Sequence, residues 1–266
     1  MEVNIMAFDL NNFVIDRIVR GVALSQKDDS VLFSINQIQN ASLNCASESA
    51  DAVDALGTPI ATFYRAKSAE FSAENALFDM NLMSTQLGTA KKVASAAAKI
   101  TVPAMESFTV AEGGKYELKH SPKTVPTEIY ALNGDSTFGT KYAKETAASA
   151  TGFSIADRTI TLPTSVAVGT DMFVMYEYET ENAVEVVNSA TEFPVGCKFI
   201  MEVLGCDVCD QTNLVYAYVI FNNFKLSPDF DWSIATDGSH PFSGKAQQDY
   251  CDKEKRLFSI VIPGDE

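Results

Sequence analysis

Alternating apolar and polar positions dominate residues 16–44 and predict β-strands. Two such runs are joined by the polar stretch SQKDDS, which is typical of a hairpin turn. The second run has a mostly apolar side that includes Val31, Phe33 and Ile35. A strand with one apolar and one polar side is expected between a core and water. The polar side, which only Ile38 interrupts, consists of Ser34, Asn36, Asn40, Ser42 and Asn44.

A stretch of small and acidic residues follows. The sequence ASESADAVDALGTP has the composition of a loop, and Pro59 helps to end it. We therefore predict a loop over residues 45–58. Its carboxylates are Glu48, Asp51 and Asp54.

The next segment changes from a strand pattern to a helix pattern. IATFYRAKSAEF alternates as a strand does, and the residues after it carry apolar side chains at helical spacing. Ser72 is a plausible N-cap and Gly88 a C-terminal stop, so the pattern predicts a helix over residues 73–87. Its apolar positions include Leu77, Met80 and Met83.

Beyond an alanine-rich stretch the strands become short, and turn sequences such as EGGK and NGDSTFG separate them. Short strands separated by turns predict a small immunoglobulin-like β-sandwich, although the Cys-Trp-Cys pattern of true immunoglobulin domains is missing. Long strands resume at EFPVGCKFIMEVLGC. We therefore expect one β domain made of residues 1–97 and 189–266, with residues 98–188 inserted into it.

The composition is typical of a globular protein whose surface does not bind polyanions. The 266 residues are 46% hydrophobic, and 20 basic against 35 acidic side chains give a net charge of -15. Such a surface disfavours binding to nucleic acid or to an anionic membrane. We find no apolar run of membrane-spanning length and expect no signal peptide. Five cysteines without an export signal predict reduced thiols in a cytoplasmic setting.

No arrangement of residues indicates catalysis or a cofactor. Cys206 and Cys209 have the spacing of half a zinc site, which Cys197 and Cys251 could complete, but a second paired motif is missing. Ordinary buried or turn cysteines are therefore expected. His120 and His240 both lie beside prolines and are expected in surface turns, without a nucleophile motif near them. We predict that the protein is not an enzyme and binds no metal.

The order of these segments resembles the major tail tube protein of tailed bacteriophages. The resemblance rests on the hairpin, the acidic stretch, TPIATFYRAKSAEFS, AENALFDMNLMSTQLGT, and the closing segments YVIFNNFKLSPDFDWSI and PFSGKAQQDYCDKEKRLFSIVIPGDE. It covers roughly residues 10–95 and 190–266. The inserted domain resembles the immunoglobulin-like additions that such proteins often carry.

The resemblance implies a mainly β, two-sheet sandwich or barrel with one flanking helix, which assembles as hexameric rings stacked into a hollow tube. Leu77, Met80 and Met83 would pack the helix on a sheet, and Glu48, Asp51 and Asp54 would lie near ring junctions. DNA would pass a lumen faced by the five polar residues without specific binding. Implied partners are a tape measure protein, a terminator and, in a contractile tail, a sheath, in a virion assembled in the host cytoplasm.

Two other functions fit the same sequence. One is another β-rich virion component, such as a capsid decoration or fibre protein. The other is a module that binds carbohydrate or a host surface through the inserted domain. Rings seen by electron microscopy would favour the tube, whereas carbohydrate binding by the insert alone would favour the binding module.

Overall fold

A computed structural model describes residues 12–249 and 253–264, and within these ranges the chain is mainly β with one helix. The strands are β1 (Phe13–Ser25), β2 (Val31–Ile35), β3 (Ile38–Val53), β4 (Pro59–Asn75), β5 (Lys92–Val93), β6 (Ile100–Thr109), β7 (Lys115–Glu117), β8 (Glu128–Leu132), β9 (Phe138–Lys144), β10 (Gly152–Ala156), β11 (Thr159–Thr161), β12 (Asp171–Thr180), β13 (Val184–Glu185), β14 (Gly196–Asp207), β15 (Asp210–Leu226), β16 (His240–Ala246) and β17 (Ser259–Val261). Helix α1 is Met80–Leu87. The predicted mainly β fold with a single helix is confirmed.

The chain divides into two compact units. Unit 1 comprises the described parts of residues 1–91 and 186–266, and unit 2 comprises residues 92–185. The division falls at 91/92 and 185/186 rather than at 97/98 and 188/189, because strands β5 and β13 pair with each other inside unit 2. Independent folding of the inserted part, and its immunoglobulin-like type, stay predictions.

Unit 1 is built on one curled antiparallel sheet. The strand order is β2-β1-β14-β15-β16-β4-β3, with β17 beside β15. The inner side of this sheet carries large apolar side chains at alternate positions, as in Phe199, Met201 and Val203 of β14. Gly21 is needed at a close approach, because a Cβ there would meet Ile38 and Phe199. The strand at one end of the sheet thus comes near the strand next to the other end.

Five phenylalanine rings form the centre of the unit 1 core. Each is buried, and neighbouring ring centroids lie 5.2–6.4 Å apart. Burying one such side chain contributes about 1.5–3 kcal/mol. Because the rings come from β4, β14, β15 and β16, they fasten strands that are distant in sequence. The five are Phe71, Phe199, Phe221, Phe224 and Phe242.

The predicted single strand over residues 31–44 is wrong, because β2 ends at Ile35 and β3 begins at Ile38. Ile38, which had interrupted the polar side of the pattern, is buried in the core. Asn40 has a φ of 52°, and the pairing with β4 shifts register between Gln39 and Ser42. The chain crosses here from one end of the sheet to the other, so one alternation cannot run through both strands.

The helix begins later than predicted. Residues up to Asn75 remain in β4, where they pair with His240–Ala246 of β16, so Ser72 cannot be the N-cap. The N-cap is Asp79, whose carboxylate accepts the N–H groups of Asn81 and Leu82 at 2.9 and 2.7 Å. Gly88 ends the helix as predicted, with a φ of 70°.

Unit 2 has its own core between layers of short strands. The strand order is β6-β12-β8-β9-β10-β11-β7, in which only the β9–β10 pair is parallel among the described strands. Its core includes Leu118, Ile129, Phe153, Ile160 and Met172, each fully buried. The two end strands meet through Glu106 of β6, which accepts the hydroxyl of Tyr116 of β7 at 2.7 Å.

Glu106 is a buried carboxylate with a complete set of donors. It also accepts the Tyr176 hydroxyl at 2.5 Å and the Lys119 N–H at 3.2 Å. Burial raises the pKa of Glu106, but these hydrogen bonds lower it more, so the net pKa lies below its ordinary value. Burial and the same contact raise the pKa of Tyr116 to about 12. The charged carboxylate of Glu106 therefore links β6 to β7 and β12 through hydrogen bonds.

Candidate assembly surface

A long two-stranded hairpin leaves the sheet of unit 1. Strand β16 pairs with β4 only from Ala69 to Asn75, whereas β3 and β4 stay paired as far as Val53 and Pro59. We call residues 47–67 the β-arm. Every residue of the β-arm is exposed, so within the described chain neither of its faces contacts a core.

The predicted loop over residues 45–58 is therefore wrong, since most of it is strand. Glu48 lies opposite Arg65 and Asp51 lies opposite Thr62, so these two carboxylates project from a ladder. Only Asp54 belongs to the turn. Its carboxylate accepts the N–H groups of Leu56 and Thr58 at 2.9 and 2.8 Å. These hydrogen bonds close the tip of the β-arm.

The β-arm exposes a set of large apolar side chains. Phe63 is paired with Ala50 and the adjacent Tyr64 with Ser49, so the two rings project from opposite faces. Leu56 at the tip is 91% exposed. An exposed apolar patch of this kind indicates an interaction site. The full set is Val53, Leu56, Ile60, Phe63 and Tyr64.

The five polar residues predicted to face a lumen do not share one strand. Ser34 lies on β2 and Asn36 between β2 and β3, whereas Asn40, Ser42 and Asn44 lie on β3. All five are exposed. Ser42 and Asn44 lie opposite Ser72 and Glu70 of β4, near the base of the β-arm. Their predicted place in a lumen stays a prediction.

Several strand edges in unit 1 lack a partner among the described residues. Beyond β16, residues 59–68 of β4 are paired only with β3. On β15, the side away from β14 is paired with β17 at residues 218–220 and with β16 at residues 224–226. Strand β3 is the last strand of the sheet. Unpaired edges can accept strands of another chain.

The helix packs on the sheet with fewer of the predicted residues than expected. Met83 is buried and Met80 is half-buried, but Leu77 precedes the helix and is 60% exposed. Leu82, which the sequence analysis missed, is fully buried. The error follows from the late start of the helix, because Leu77 lies before the N-cap Asp79 and so is not part of its buried side.

His240 is buried, so its predicted place in a surface turn is wrong. Its Nδ1 accepts the N–H of Asp79 at 3.4 Å, and its Nε2 lies 2.8 Å from Oε1 of Gln86. Because Nδ1 is the acceptor, Nε2 carries the proton and donates it to Gln86. Gln86 in turn donates to the carbonyl of Pro241. Burial lowers the pKa of His240, although the carboxylate of Asp79 opposes that shift.

A stack of rings lies over this histidine. Phe78 stacks on His240 with ring centroids 5.2 Å apart, and Trp232 stacks on Phe78 at 4.4 Å. Trp232 is partly exposed and lies outside any strand. We therefore expect the fluorescence of Trp232 to respond to changes in the packing around His240.

The remaining candidates for chemistry are separate from one another. Cys197 is buried, and its pKa is raised by burial to about 12. Cys206 is buried on β14, Cys209 is exposed in the following turn, and Cys251 lies outside the described residues. His120 is exposed and stacks on Tyr178. Across residues 12–249 and 253–264, no group of three His, Cys, Asp or Glu side chains is placed to hold a metal ion.

Comparison with known proteins supplies the family. A family model described as the YomU/Tube protein family matches residues 13–260. No curated protein matches the chain significantly. In the described part of the chain, no helix is long and apolar enough to cross a membrane. The chain therefore belongs to the YomU/Tube protein family and is a structural protein of the phage-tube type, a component of the virion.

Proposed function

We propose that this chain is a tail tube subunit that assembles into hexameric rings, which stack into a hollow conduit for DNA delivery. A tube built from one kind of subunit needs a surface that joins neighbours within a ring and a surface that joins one ring to the next. The partners in this proposal are further copies of the chain, a tape measure protein, a terminator and, in a contractile tail, a sheath.

The β-arm is the observation that carries the proposal. An isolated two-stranded hairpin is marginal in water, and this one exposes Phe63 and Tyr64 on opposite faces. Contacts with neighbouring copies would bury these side chains and pair the outer edges of β3 and of β4 beyond β16. A monomer that leaves such an arm exposed is best explained as a part of a larger assembly.

Charge supports a conduit that does not retain DNA. Residues 98–188 hold 12 acidic and 7 basic residues, so they carry -5 of the net charge of -15 and the rest of the chain carries -10. Each basic contact to a phosphate would add affinity and slow the passage of DNA. We place the polar residues Ser34, Asn36, Asn40, Ser42 and Asn44 toward the lumen, and Glu48, Asp51 and Asp54 near the junction between rings.

Electron microscopy of the purified full chain tests the proposal. We expect six-fold rings and short hollow tubes, which increase with salt because screening weakens the repulsion between subunits of charge -15. A monomer at every protein and salt concentration would argue against a tube. Capsid decoration or fibre assembly would instead give particles without a stacked lumen.

A pair of variants identifies the β-arm as the assembly element. Replacing Phe63 and Tyr64 together by serine is expected to abolish tubes and leave a folded monomer, because both side chains are exposed. The matched control is Phe138→Ser, which removes an exposed ring from unit 2 and should leave the tubes intact. Tubes that form equally well from all three proteins would rule out the role of the β-arm.

A further inference from the structure

Unit 2 has an exposed face with the composition of a binding site. Its layer of strands β6, β12, β8 and β9 turns Ile129, Met172 and Val174 toward the core, so the alternate residues face outward. On that outer side Met105 pairs across strands with Met175, and Phe173 pairs with Tyr130. Phe138 of β9 completes the set. We call these five residues the aromatic face.

The rings of the aromatic face are packed against one another and remain accessible. The centroid of Phe138 lies 5.2 Å from that of Tyr130 and 5.1 Å from that of Phe173. Phe138 is nevertheless 61% exposed. Two open clefts, of about 740 and 470 Å³, both have Phe138 and Phe173 in their linings, and we call the two clefts together the groove. The larger cleft is lined mainly by apolar side chains such as Met105 and Met175.

The walls of the groove present hydrogen-bond acceptors. Asp171 accepts the hydroxyl of Thr109 at 2.6 Å, and Glu128 accepts the hydroxyl of Tyr130 at 2.8 Å and lies 2.9 Å from Nζ of Lys141. Each carboxylate keeps further lone pairs, and Glu177 lines the same groove. Asn133 and Ser136 add polar groups at one end. These contacts hold the walls in place before any ligand arrives.

We propose that the aromatic face binds a neutral oligosaccharide. A pyranose ring has an apolar C–H surface that packs on aromatic rings and hydroxyl groups at its edge that donate hydrogen bonds. An apolar floor between walls rich in carboxylate acceptors offers both kinds of contact. The carboxylates of Asp171 and Glu177 repel an anionic polymer, whereas the charge of Glu128 is balanced by Lys141, so the neutral class is the better fit.

Other occupants fit the groove less well. A proline-rich peptide offers mainly carbonyl acceptors, which the acceptor-rich walls do not satisfy. A peptide added as a strand beside β6 meets Pro103, which lacks an N–H, and Glu106, which points inward. A second copy applied through the same face would set like carboxylates near one another. The proposal does not depend on tube assembly.

Saturation-transfer NMR on the full chain tests the proposal, since it works for free subunits and for large assemblies. The probes are cellotriose, chitotriose, maltotriose and mannotriose, with trigalacturonate as the anionic comparison. We expect transfer to the ring C–H protons of at least one neutral probe. Phe138→Ala should weaken that binding about tenfold, which is the loss expected from removing one stacking ring.

The control is Phe193→Ala, because Phe193 is 65% exposed in unit 1 outside the β-arm and its loss should leave the binding unchanged. If Phe138→Ala does not fold, Met175→Ser on the same face replaces it. Three results would overturn the proposal. They are no transfer to any neutral probe, undiminished transfer in the folded variant of the face, and binding of trigalacturonate alone. A change of oligomeric state in Phe138→Ala would equally overturn it and assign the face to subunit contacts.

Discussion

His240 and Gln86 are joined by a 2.8 Å hydrogen bond from Nε2–H to Oε1, deep between strand β16 and helix α1. The other ring nitrogen accepts the N–H of Asp79, the residue that caps the same helix. One neutral imidazole therefore connects the sheet to both ends of the helix. Because each nitrogen has a fixed role, a proton added at Nδ1 would replace the acceptor of the Asp79 N–H by a second donor.

The first prediction is that unit 1 loses stability as the pH falls below about 6.5, the ordinary pKa of histidine. Burial lowers the pKa of His240 in the folded state, so the unfolded chain binds the proton first. The contribution of neutral His240 to the free energy of unfolding is complete above about pH 6.5 and is lost as the pH falls through the pKa that His240 has in the folded state. Urea unfolding followed by Trp232 fluorescence at pH 7.5 and pH 5 measures it.

His240→Gln separates this effect from general acid sensitivity. The variant should be less stable at pH 7.5 by about 1–3 kcal/mol, because buried partners lose their hydrogen bonds. Its stability should change less between pH 7.5 and pH 5 than that of the natural protein. His120→Gln is the control, since His120 is exposed. An unaltered pH dependence in His240→Gln would refute the assignment.

The second prediction concerns the buried carboxylate of Glu106 in unit 2. Glu106→Gln places an amide among three donors and should lower the free energy of unfolding by about 2–3 kcal/mol. The pKa of Glu106 is lowered in the folded state, so its contribution is present above the unfolded pKa of a glutamate and lost at more acid pH. Thermal unfolding from pH 7 to pH 3 measures both effects. Glu179→Gln, on an exposed ion pair with Lys123, should lower the stability clearly less than Glu106→Gln does.

The third prediction uses the end of helix α1. Gly88→Ala should destabilise unit 1 by more than about 1 kcal/mol, because φ is 70° and the added Cβ would meet the backbone of Phe193. Gly57→Ala is at a φ of 85° with open space around it. It should therefore lose only the stability that comes from holding an alanine at a positive φ, without the loss from a steric clash. Gly134→Ala, without a positive φ or a neighbour, is the neutral control in unit 2. Equal Tm values for the Gly57 and Gly88 variants would contradict the steric argument.

The fourth prediction concerns the tip of the β-arm. Leu56→Asp should leave the stability within about 0.5 kcal/mol, since the side chain is 91% exposed, yet it should reduce assembly. Ile234→Asp is the matched control, because it adds the same charge at an 84% exposed position of unit 1 outside the β-arm. Sedimentation of both proteins under assembly conditions compares them. If both assemble to the same extent, the tip has no part in subunit contacts.

The sequence predicts those parts of the fold that local pattern controls. Alternation in β14 and β15 reports burial directly, because one side of each strand faces a packed core. Gly88 is identified as the helix stop because a left-handed residue favours glycine. The mainly β class follows from the same strands.

Non-local pairing explains the parts that the sequence misses. The first half of the β-arm, on β3, is rich in small and acidic residues and resembles a loop, but its pairing with β4 makes it a strand. Likewise Ser72 offers a cap as good as Asp79, and the pairing of β4 with β16 decides between them. His240 resembles a turn residue beside proline, and only the fold brings Gln86 to it.

The two ends of unit 2 lie side by side, because Val93 pairs with Val184 and the ammonium of Lys92 lies 3.2 Å from the carboxylate of Glu185. A polypeptide that enters and leaves its host chain at one point can be exchanged for any other with adjacent ends. Residues 91 and 186 of unit 1 are the two points at which unit 2 is attached. For a phage genome, we infer that one recombination event at residues 91 and 186 is enough to replace unit 2 by another polypeptide with adjacent ends.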